Sequence, residues 1–252
     1  MEILYRILII LACLIVGYLF GSIPNGVLIG KLFFKKDPRL EGSHNSGGTN
    51  TGRVLGGKAG AATIILDICK VIIPTLIGIY LFQFNTVCRD FMLGSNLENN
   101  VFGIGNTLNQ LCYYIIPLGG MLGHAYSIFL KFKGGKIVST YGGTALCYSY
   151  LSIPLLLPFF LITLKKTKYV SLSSIVGSLA TMIFSWLTYL VYALTFNNGD
   201  FSKYLMWFNF GPQCSIYYPI VVTLSWVLLM YKHKDNIIRL KNKTESKIHW
   251  MK

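Results

Sequence analysis

The sequence predicts an all-α, polytopic membrane protein with about seven transmembrane helices and a short central helical hairpin. Of its 252 residues, 53% are apolar and only 13% are charged, and the mean hydropathy is +0.54. Such a composition is too apolar for an ordinary soluble domain. Several apolar runs reach or approach the ~20 residues that cross a bilayer as a helix. Because no internal repeat or heptad pattern is visible, we expect a single membrane-embedded domain over residues 1–252.

The apolar runs, taken in order, give the expected spans. The first continues through Pro24, which removes a helical hydrogen bond and bends the segment. No small-residue cleavage pattern follows it, so we do not expect a removable signal peptide. The expected spans cover about residues 3–34, 59–84, 108–130 and 170–196, with a last one ending near Tyr231; residues 85–106 and 197–213 read as loops.

Residues 137–164 allow two interpretations, one long tilted helix or two short helices that form a hairpin. The distribution of the basic residues, which give a net charge of +14, decides between them, because these residues cluster in the polar segments. With a hairpin, 19 of the 23 Lys and Arg residues share one side of the membrane, and the positive-inside rule makes that side cytoplasmic. We therefore expect the N-terminus outside, and the C-terminus and active-site loops in the cytoplasm of a cell-membrane protein.

The polar segment Asp37 to Gly60 is the most informative stretch. It holds seven glycines together with Arg53 and Lys58. Glycines that take positive φ can turn backbone N–H groups inward around an anion, and arginine can grip phosphate with two hydrogen bonds. This pattern predicts a phosphate-bearing ligand, although a solvated linker has similar composition. A nucleotide P-loop is rejected, because Arg53 stands where lysine belongs and Val54 where Ser or Thr should hold magnesium.

Other polar residues interrupt the apolar runs. Asp67 and Lys70 lie three apart on one helix face, which fits either a mutual ion pair or the lining of a site. His124 fits a satisfied interface residue. The turn from Lys133 to Lys136 fits a second phosphate contact or a basic, topology-setting turn. His233 could move a proton, while a basic tail bound to anionic lipid would look similar.

These segments together resemble the membrane-embedded acyl-phosphate:glycerol-3-phosphate acyltransferase family, PlsY. Six pieces match in order through nearly the whole chain. They are GSIP at Gly21 to Pro24, DPRLEGSHNSGGTNTGR from Asp37, Asp67 with Lys70, GH at Gly123-His124 with FLKFKGGK at Phe129 to Lys136, TKYVSLSSI at Thr167 to Ile175, and HKDNIIRL with Glu245.

The resemblance implies a seven-helix enzyme of phospholipid synthesis, which transfers a fatty acyl group from acyl phosphate to the 1-hydroxyl of glycerol 3-phosphate. It implies membrane lipids as surroundings, a monomer, no nucleic acid, no metal and no cofactor. The implied catalytic residues are Ser43, His233 and Asn236. The implied substrate-binding residues are Asn45, Thr49, Asn50, Arg53, Lys136 and Glu245.

The chain departs from the family pattern at a few positions. Ser127 stands where proline is usual, and glycine is usual at His44, Val71, Ile137 and Lys243. Ile137 directly follows the Gly134-Gly135-Lys136 turn, so we expect altered affinity or donor preference there rather than another reaction class.

Both substrates carry phosphate, so we expect positioning and charge stabilisation rather than a covalent nucleophile. No G-x-S-x-G elbow is present. Ser43 could be acylated, but nothing near it in sequence activates it. One alternative is a membrane transporter or carrier of a phosphorylated small molecule, because intramembrane charges and a bent first span would suit transport. Another alternative is a membrane-anchored scaffold.

Overall fold

The computed structural model describes residues 2–88, 104–195 and 215–248, and those ranges are helical with no β-strand. The chain packs into two compact units, Met1–Thr144 and Ala145–Lys252, each described by itself below. Three described stretches are long and apolar enough to cross a bilayer: Leu4–Phe33, Gly57–Phe84 and Val170–Val191. An all-α membrane protein is thus confirmed, whereas seven spans stay a prediction.

Within its described residues, the first unit includes five helices and two short 3-10 turns. The helices are α1 (Glu2–Ser22), α2 (Asn25–Phe33), α3 (Gly48–Leu55), α4 (Gly57–Ile79, extended by a π-helical turn Tyr80–Phe84) and α5 (Ile104–Ala125); the 3-10 turns are Pro38–Leu40 and Ile128–Leu130. The expected bend at Pro24 is a full break between α1 and α2.

Glycines let α1 and α5 lie backbone to backbone. A Cβ added at Gly21 would lie 1.9 Å from the carbonyl oxygen of Gly120, and one at Gly123 would lie 2.1 Å from that of Tyr18. Lipid tails are as apolar as leucine, so helices in a membrane associate through close packing of small residues rather than through the hydrophobic effect. This close contact at the glycines fixes the positions of α1 and α5, to which the polar segments of the unit are connected.

The polar segment Asp37 to Gly60 is not one loop. It contains the 3-10 turn and α3, and α3 packs against α4 through small residues: a Cβ at Gly60 would lie 2.7 Å from the Cα of Gly52. Among the seven glycines of this segment, only Gly42 (φ +65°) and Gly56 (φ +97°) take positive φ. At Gly48 and Gly60 a Cβ would instead lie under 3.0 Å from neighbouring atoms, so close packing of α3 on α4 requires glycine at these two positions.

Residues 137–164 form two helices rather than one. They are α6 (Val138–Tyr148) and α7 (Ser152–Thr167), separated at residues 149–151, where the side chain of Ser152 donates to the carbonyl of Ala145 at 3.1 Å. The central pair of short helices predicted from charge is thus present.

The second unit continues from α6 through α7 to α8 (Val170–Thr195), α9 (Tyr217–Lys232) and α10 (Lys234–Lys241). Trp186 on α8 donates to the hydroxyl of Thr223 on α9 at 2.9 Å. The backbone N–H of Ile248 donates to the carbonyl of Lys168 at 2.9 Å, which fastens the C-terminal segment to the turn between α7 and α8.

Candidate active site

Asn50 organises the segment before α3. Its buried side-chain amide donates to the carbonyls of Pro38 (2.6 Å), Glu41 (3.2 Å) and Asn45 (3.0 Å). Its Oδ1 accepts from both the backbone N–H and the hydroxyl of Ser43, at 2.7 and 3.1 Å. Because these loop groups engage both ends of the amide, Asn50 fixes the conformation of the loop.

The loop presents polar groups at the start of α3. Ser43 is exposed, and its hydroxyl donates to the amide oxygen of Asn50, which is not a base. Asn45 accepts from the backbone N–H of Gly47 at 2.9 Å, and Thr49 is exposed on the first turn of α3. Since the first N–H groups of a helix have no intrahelical acceptor, this end of α3 favours an anion.

The two arginines of this segment differ in their partners. Arg39 pairs with Asp37, with its Nη2 2.7 Å from Oδ2, and this guanidinium holds the pKa of Asp37 below its usual range. Arg53, in the last turn of α3, is exposed and makes no ion pair with any residue in the described ranges. The charge of Arg53 is therefore available to a ligand, whereas that of Arg39 is already compensated.

The turn that carries Lys136 is fixed to the end of α5. The backbone N–H groups of Gly135 and Gly134 donate to the carbonyls of His124 (2.8 Å) and Ala125 (3.2 Å). A Cβ at Gly135 would lie 2.1 Å from Nε2 of His124, so this turn needs glycine for close approach. Lys136 is half-buried beside it.

A buried polar cluster lies in the same unit. Lys70 is 2.9 Å from Oδ1 of Asp67, so the ion pair, one of the two interpretations of their spacing, is present. Lys70 also contacts Nδ1 of His124 at 2.9 Å, and Asn25 donates to Asp67 at 3.0 Å. His124 is thus a bonded residue between helices, as expected, although its partner Lys70 was not predicted.

His233 stands between α9 and α10 in the second unit and is buried. Its Nδ1 lies 2.9 Å from the carbonyl oxygen of Leu229, which can only accept a hydrogen bond. In the neutral form of the ring, Nδ1 then carries the proton and Nε2 is the nitrogen with the lone pair.

Asn236 and Glu245 belong to a group of hydrogen-bonded side chains, here the clamp, that also contains Ser171 and Arg239. Oε1 of Glu245 accepts from Asn236 and from Ser171, both at 2.7 Å, while Oε2 accepts from Arg239 at 2.8 Å. Burial raises the pKa of Glu245, but the hydrogen bonds from Ser171, Arg239 and Asn236 outweigh it and lower that pKa overall. The carboxylate is thus held charged, and it orients Asn236. The sequence reading missed Ser171, which lies within the matching piece Thr167 to Ile175.

Three of the four residues that replace family glycines take the left-handed conformation: His44 (φ +54°), Ile137 (φ +55°) and Lys243 (φ +59°). Glycine reaches this region without steric cost. The fourth, Val71, is buried within α4. Ser127 has φ −62°, the value that proline would impose, and its hydroxyl donates to the carbonyl of Ser22 at 2.5 Å.

Residues 11–243 match the family model described as glycerol-3-phosphate acyltransferase. The chain belongs to the glycerol-3-phosphate acyltransferase family. This acyltransferase is 36% identical over 237 residues to the glycerol-3-phosphate acyltransferase of Listeria monocytogenes serotype 4a (strain HCC23), covering 94% of this chain and 96% of the relative. It is 34% identical over 244 residues to that of Bacillus subtilis (strain 168), covering 97% and 100%.

Two solved structures share the fold of this acyltransferase. Both are of PlsY (YgiH), an integral membrane glycerol 3-phosphate acyltransferase. The glycerol 3-phosphate form has a TM-score of 0.67 and 28% identity, and covers 95% of this chain and 96% of its own. The lysophosphatidic acid form has a TM-score of 0.66 and 27% identity, and covers 95% of each chain. The resemblance read from the sequence is thereby confirmed.

Proposed function

We propose that this acyltransferase moves a fatty acyl group from acyl phosphate to the 1-hydroxyl of glycerol 3-phosphate, and releases lysophosphatidic acid and inorganic phosphate. The hydroxyl oxygen attacks the acyl carbon, the bond between that carbon and the phosphate oxygen breaks, and phosphate leaves with its electron pair. The hydroxyl proton passes to a base. Acyl phosphate is already activated, so no covalent enzyme intermediate is needed.

The observation that carries the proposal is the N-terminal end of α3 with the uncompensated charge of Arg53 in the same helix. Backbone N–H groups and a guanidinium are the donors that a phosphate dianion accepts from. In this proposal Asn45, Thr49 and Arg53 hold the phosphate of glycerol 3-phosphate, with Asn50 fixing the loop. Ser43 stays the predicted catalytic residue of the same loop. The similarity to glycerol-3-phosphate acyltransferases and to the glycerol 3-phosphate form of PlsY supports this ligand.

Lys136 is proposed to hold the second phosphate, that of the acyl donor. The ammonium compensates the charge that grows on the leaving phosphate as the carbon–oxygen bond breaks. Hydrogen bonds from Gly134 and Gly135 to the end of α5 fix the turn that carries it. Such fixed donors need no reorganisation when the charge develops.

The proposed proton acceptor is either His233, through Nε2 of the neutral ring, or a phosphate oxygen of the substrate. The carbonyl of Leu229 accepts from Nδ1 in that form of the ring. Asn236 is proposed to contact the reacting groups. Glu245 was predicted to bind substrate, but it is anionic and would repel phosphate. We therefore assign it the positioning of Asn236 and Arg239.

We infer that the enzyme lies in the cell membrane as a monomer with its C-terminus in the cytoplasm. The positive-inside rule supports this orientation, since 19 of 23 basic residues then face the cytoplasm. The acyl donor would reach the site from the lipid side. Membrane lipids are the remaining expected partner; nucleic acid is not expected, because the basic residues lie in the short polar segments between helices.

The test uses purified protein with palmitoyl phosphate and glycerol 3-phosphate, and measures phosphate and lysophosphatidic acid released in equal amounts. Omitting either substrate should abolish both products. A folded protein that releases neither would contradict the proposal. A transporter would instead move glycerol 3-phosphate into liposomes without any acyl donor, so the same preparation in vesicles separates the two functions.

A further inference from the structure

The buried cluster of Asn25, Asp67, Lys70 and His124, here the polar cluster, joins segments that are far apart in sequence. We propose that it is a positioning network that holds both phosphate-binding segments of the first unit in register, so that His124 and Lys70 act on the reaction without touching substrate. This inference rests on the proposed function and assigns these residues a role within it.

The three N–H groups of Lys70 match three acceptors. Nζ lies 2.9 Å from Oδ1 of Asp67, 2.8 Å from the carbonyl of Ile23 and 2.9 Å from Nδ1 of His124. An ammonium has only donors, so Nδ1 of His124 must accept and the imidazole proton lies on Nε2. The three acceptors therefore account for all three N–H groups of the Lys70 ammonium.

One side of the polar cluster supports the loop before α3. Lys70 satisfies the carbonyl of Ile23 at the break between α1 and α2, where a regular helix cannot do so. Asn25, bound to Asp67, begins α2, and the next residue, Gly26, lies under the loop: a Cβ there would be 2.4 Å from the carbonyl oxygen of Ser46. Ser46 also lines the small cavity that Asp67, Lys70 and His124 line.

The other side supports the turn that carries Lys136. The carbonyl of His124 accepts from the N–H of Gly135, and its ring occupies the space that a Cβ at Gly135 would need. The imidazole orientation is set by Lys70 on its opposite nitrogen. A shift of the ring would therefore move the Gly134–Gly135 backbone and, with it, Lys136.

Energetics favour positioning over simple stabilisation. Asp67 and Lys70 are 1% and 6% exposed, and Oδ2 of Asp67 is buried without a hydrogen bond from the described residues. Taking two charges out of water costs as much as their attraction returns, so well-packed apolar side chains would stabilise the fold at least equally. This ion pair adds little stability, but it is connected to both the loop before α3 and the turn that carries Lys136. We therefore assign it the role of fixing the positions of these two segments.

The first test compares His124→Asn with His124→Leu. Both variants lose the ring against Gly135, but the Asn side chain keeps an acceptor at the position of Nδ1 and Leu does not. We expect His124→Leu to lower kcat/KM by about 10- to 100-fold, because small misplacements cost that much. His124→Asn should recover at least half of this loss on a logarithmic scale. Unchanged kcat/KM in His124→Leu would overturn the proposal, and equal loss in both variants would overturn the role assigned to the bond between Lys70 and His124.

A second test replaces the ion pair by the double change Asp67→Leu and Lys70→Met, which leaves no lone buried charge. We expect an apparent Tm near that of the wild type, a lower kcat/KM, and faster hydrogen exchange in residues 43–50 and 132–136. Ile65→Val, an exposed change on α4, is the control and should alter none of these. Wild-type exchange and turnover in a folded double variant would refute the positioning role. An inactive wild type would instead refute the proposed function.

Discussion

At the scale of single residues, backbone conformation explains the departures from the family pattern. His44, Ile137 and Lys243 each take a left-handed conformation, which costs a residue with a side chain about 1–2 kcal/mol. The strain is the same in kind at the three sites, but the side chains differ in burial. Lys243 is exposed, whereas Ile137 is fully buried.

Glycine at Lys243 and at Ile137 should therefore have opposite effects. Lys243→Gly relieves strain and loses no packing. Glycine also makes the unfolded chain more flexible, which offsets part of this gain, so the net rise in stability should be about 0.5–1 kcal/mol. Ile137→Gly relieves similar strain but empties a buried site, which costs about 2–5 kcal/mol, so it should destabilise. The measurement is the apparent Tm of each variant in detergent.

The control for this pair is Lys241→Gly, an exposed change in the last turn of α10, where φ is helical. It should lower stability by up to about 1 kcal/mol. If Lys243→Gly lowers the apparent Tm as Lys241→Gly does, left-handed strain at Lys243 is not significant.

At the scale of elements, two glycines decide how α3 packs on α4. A Cβ at Gly60 would lie 2.7 Å from the Cα of Gly52, whereas one at Gly52 would lie 3.5 Å from the Cα of Gly60, an ordinary contact. The two positions face each other but tolerate a methyl group differently. Since α3 carries Arg53, its distance from α4 matters to the proposed site.

Gly60→Ala should push α3 away from α4, and we expect a lower apparent Tm and a higher KM for glycerol 3-phosphate. Gly52→Ala should be neutral or stabilising by up to about 1 kcal/mol, because alanine favours the helix. Thermal unfolding and turnover of both variants check this. Equal damage by the two would show that the helices do not pack at the described distance.

The clamp on Glu245 predicts a dependence of stability on pH. The pKa of Glu245 is lowered in the folded protein, so its stabilisation is complete above the ordinary carboxyl pKa of about 4.3 and is lost as pH falls below that value. The difference in apparent Tm between wild type and Glu245→Gln should therefore be constant near neutral pH and shrink in acid.

Ser171→Ala provides the matched control for the clamp, because it removes one of the hydrogen bonds that lower the pKa. The loss of stability with acid should then begin at the same pH but be smaller and end at a higher pH than in the wild type, because the pKa of Glu245 in the folded protein is lowered less. A difference between wild type and Glu245→Gln that grows in acid would contradict the assigned charge.

At the scale of the whole molecule, apolar runs and motif order were enough to predict an all-α membrane enzyme of this family. The two helices within residues 137–164 were also predicted correctly. The bend expected at Pro24 is a full break, and the ion pair of Asp67 with Lys70 is one of the two interpretations that their spacing allowed. Spacing and charge carry these features directly.

Other features depend on tertiary packing and were missed. The α3 helix forms from Gly48 to Leu55 despite its glycines and threonines, because contact with α4 outweighs weak helix propensity. The bond between Lys70 and His124 joins residues 54 apart, so no local pattern could show it. The clamp from Ser171 to Glu245 spans 74 residues in the same way.

The central claim, that Arg53 holds the phosphate of glycerol 3-phosphate, is tested most directly by the kinetics of Arg53→Ala against Arg39→Ala. Both variants remove an arginine from the same polar segment, Asp37 to Gly60. Of these two arginines, Arg39 is already paired with Asp37, and Arg53 is not paired within the described ranges. A lost charged hydrogen bond of about 1.5–3 kcal/mol should lower kcat/KM for glycerol 3-phosphate by roughly 10- to 150-fold in Arg53→Ala. Arg39→Ala should stay within about threefold of the wild type. Unchanged kinetics in Arg53→Ala, or an equal loss in both variants, would contradict the claim.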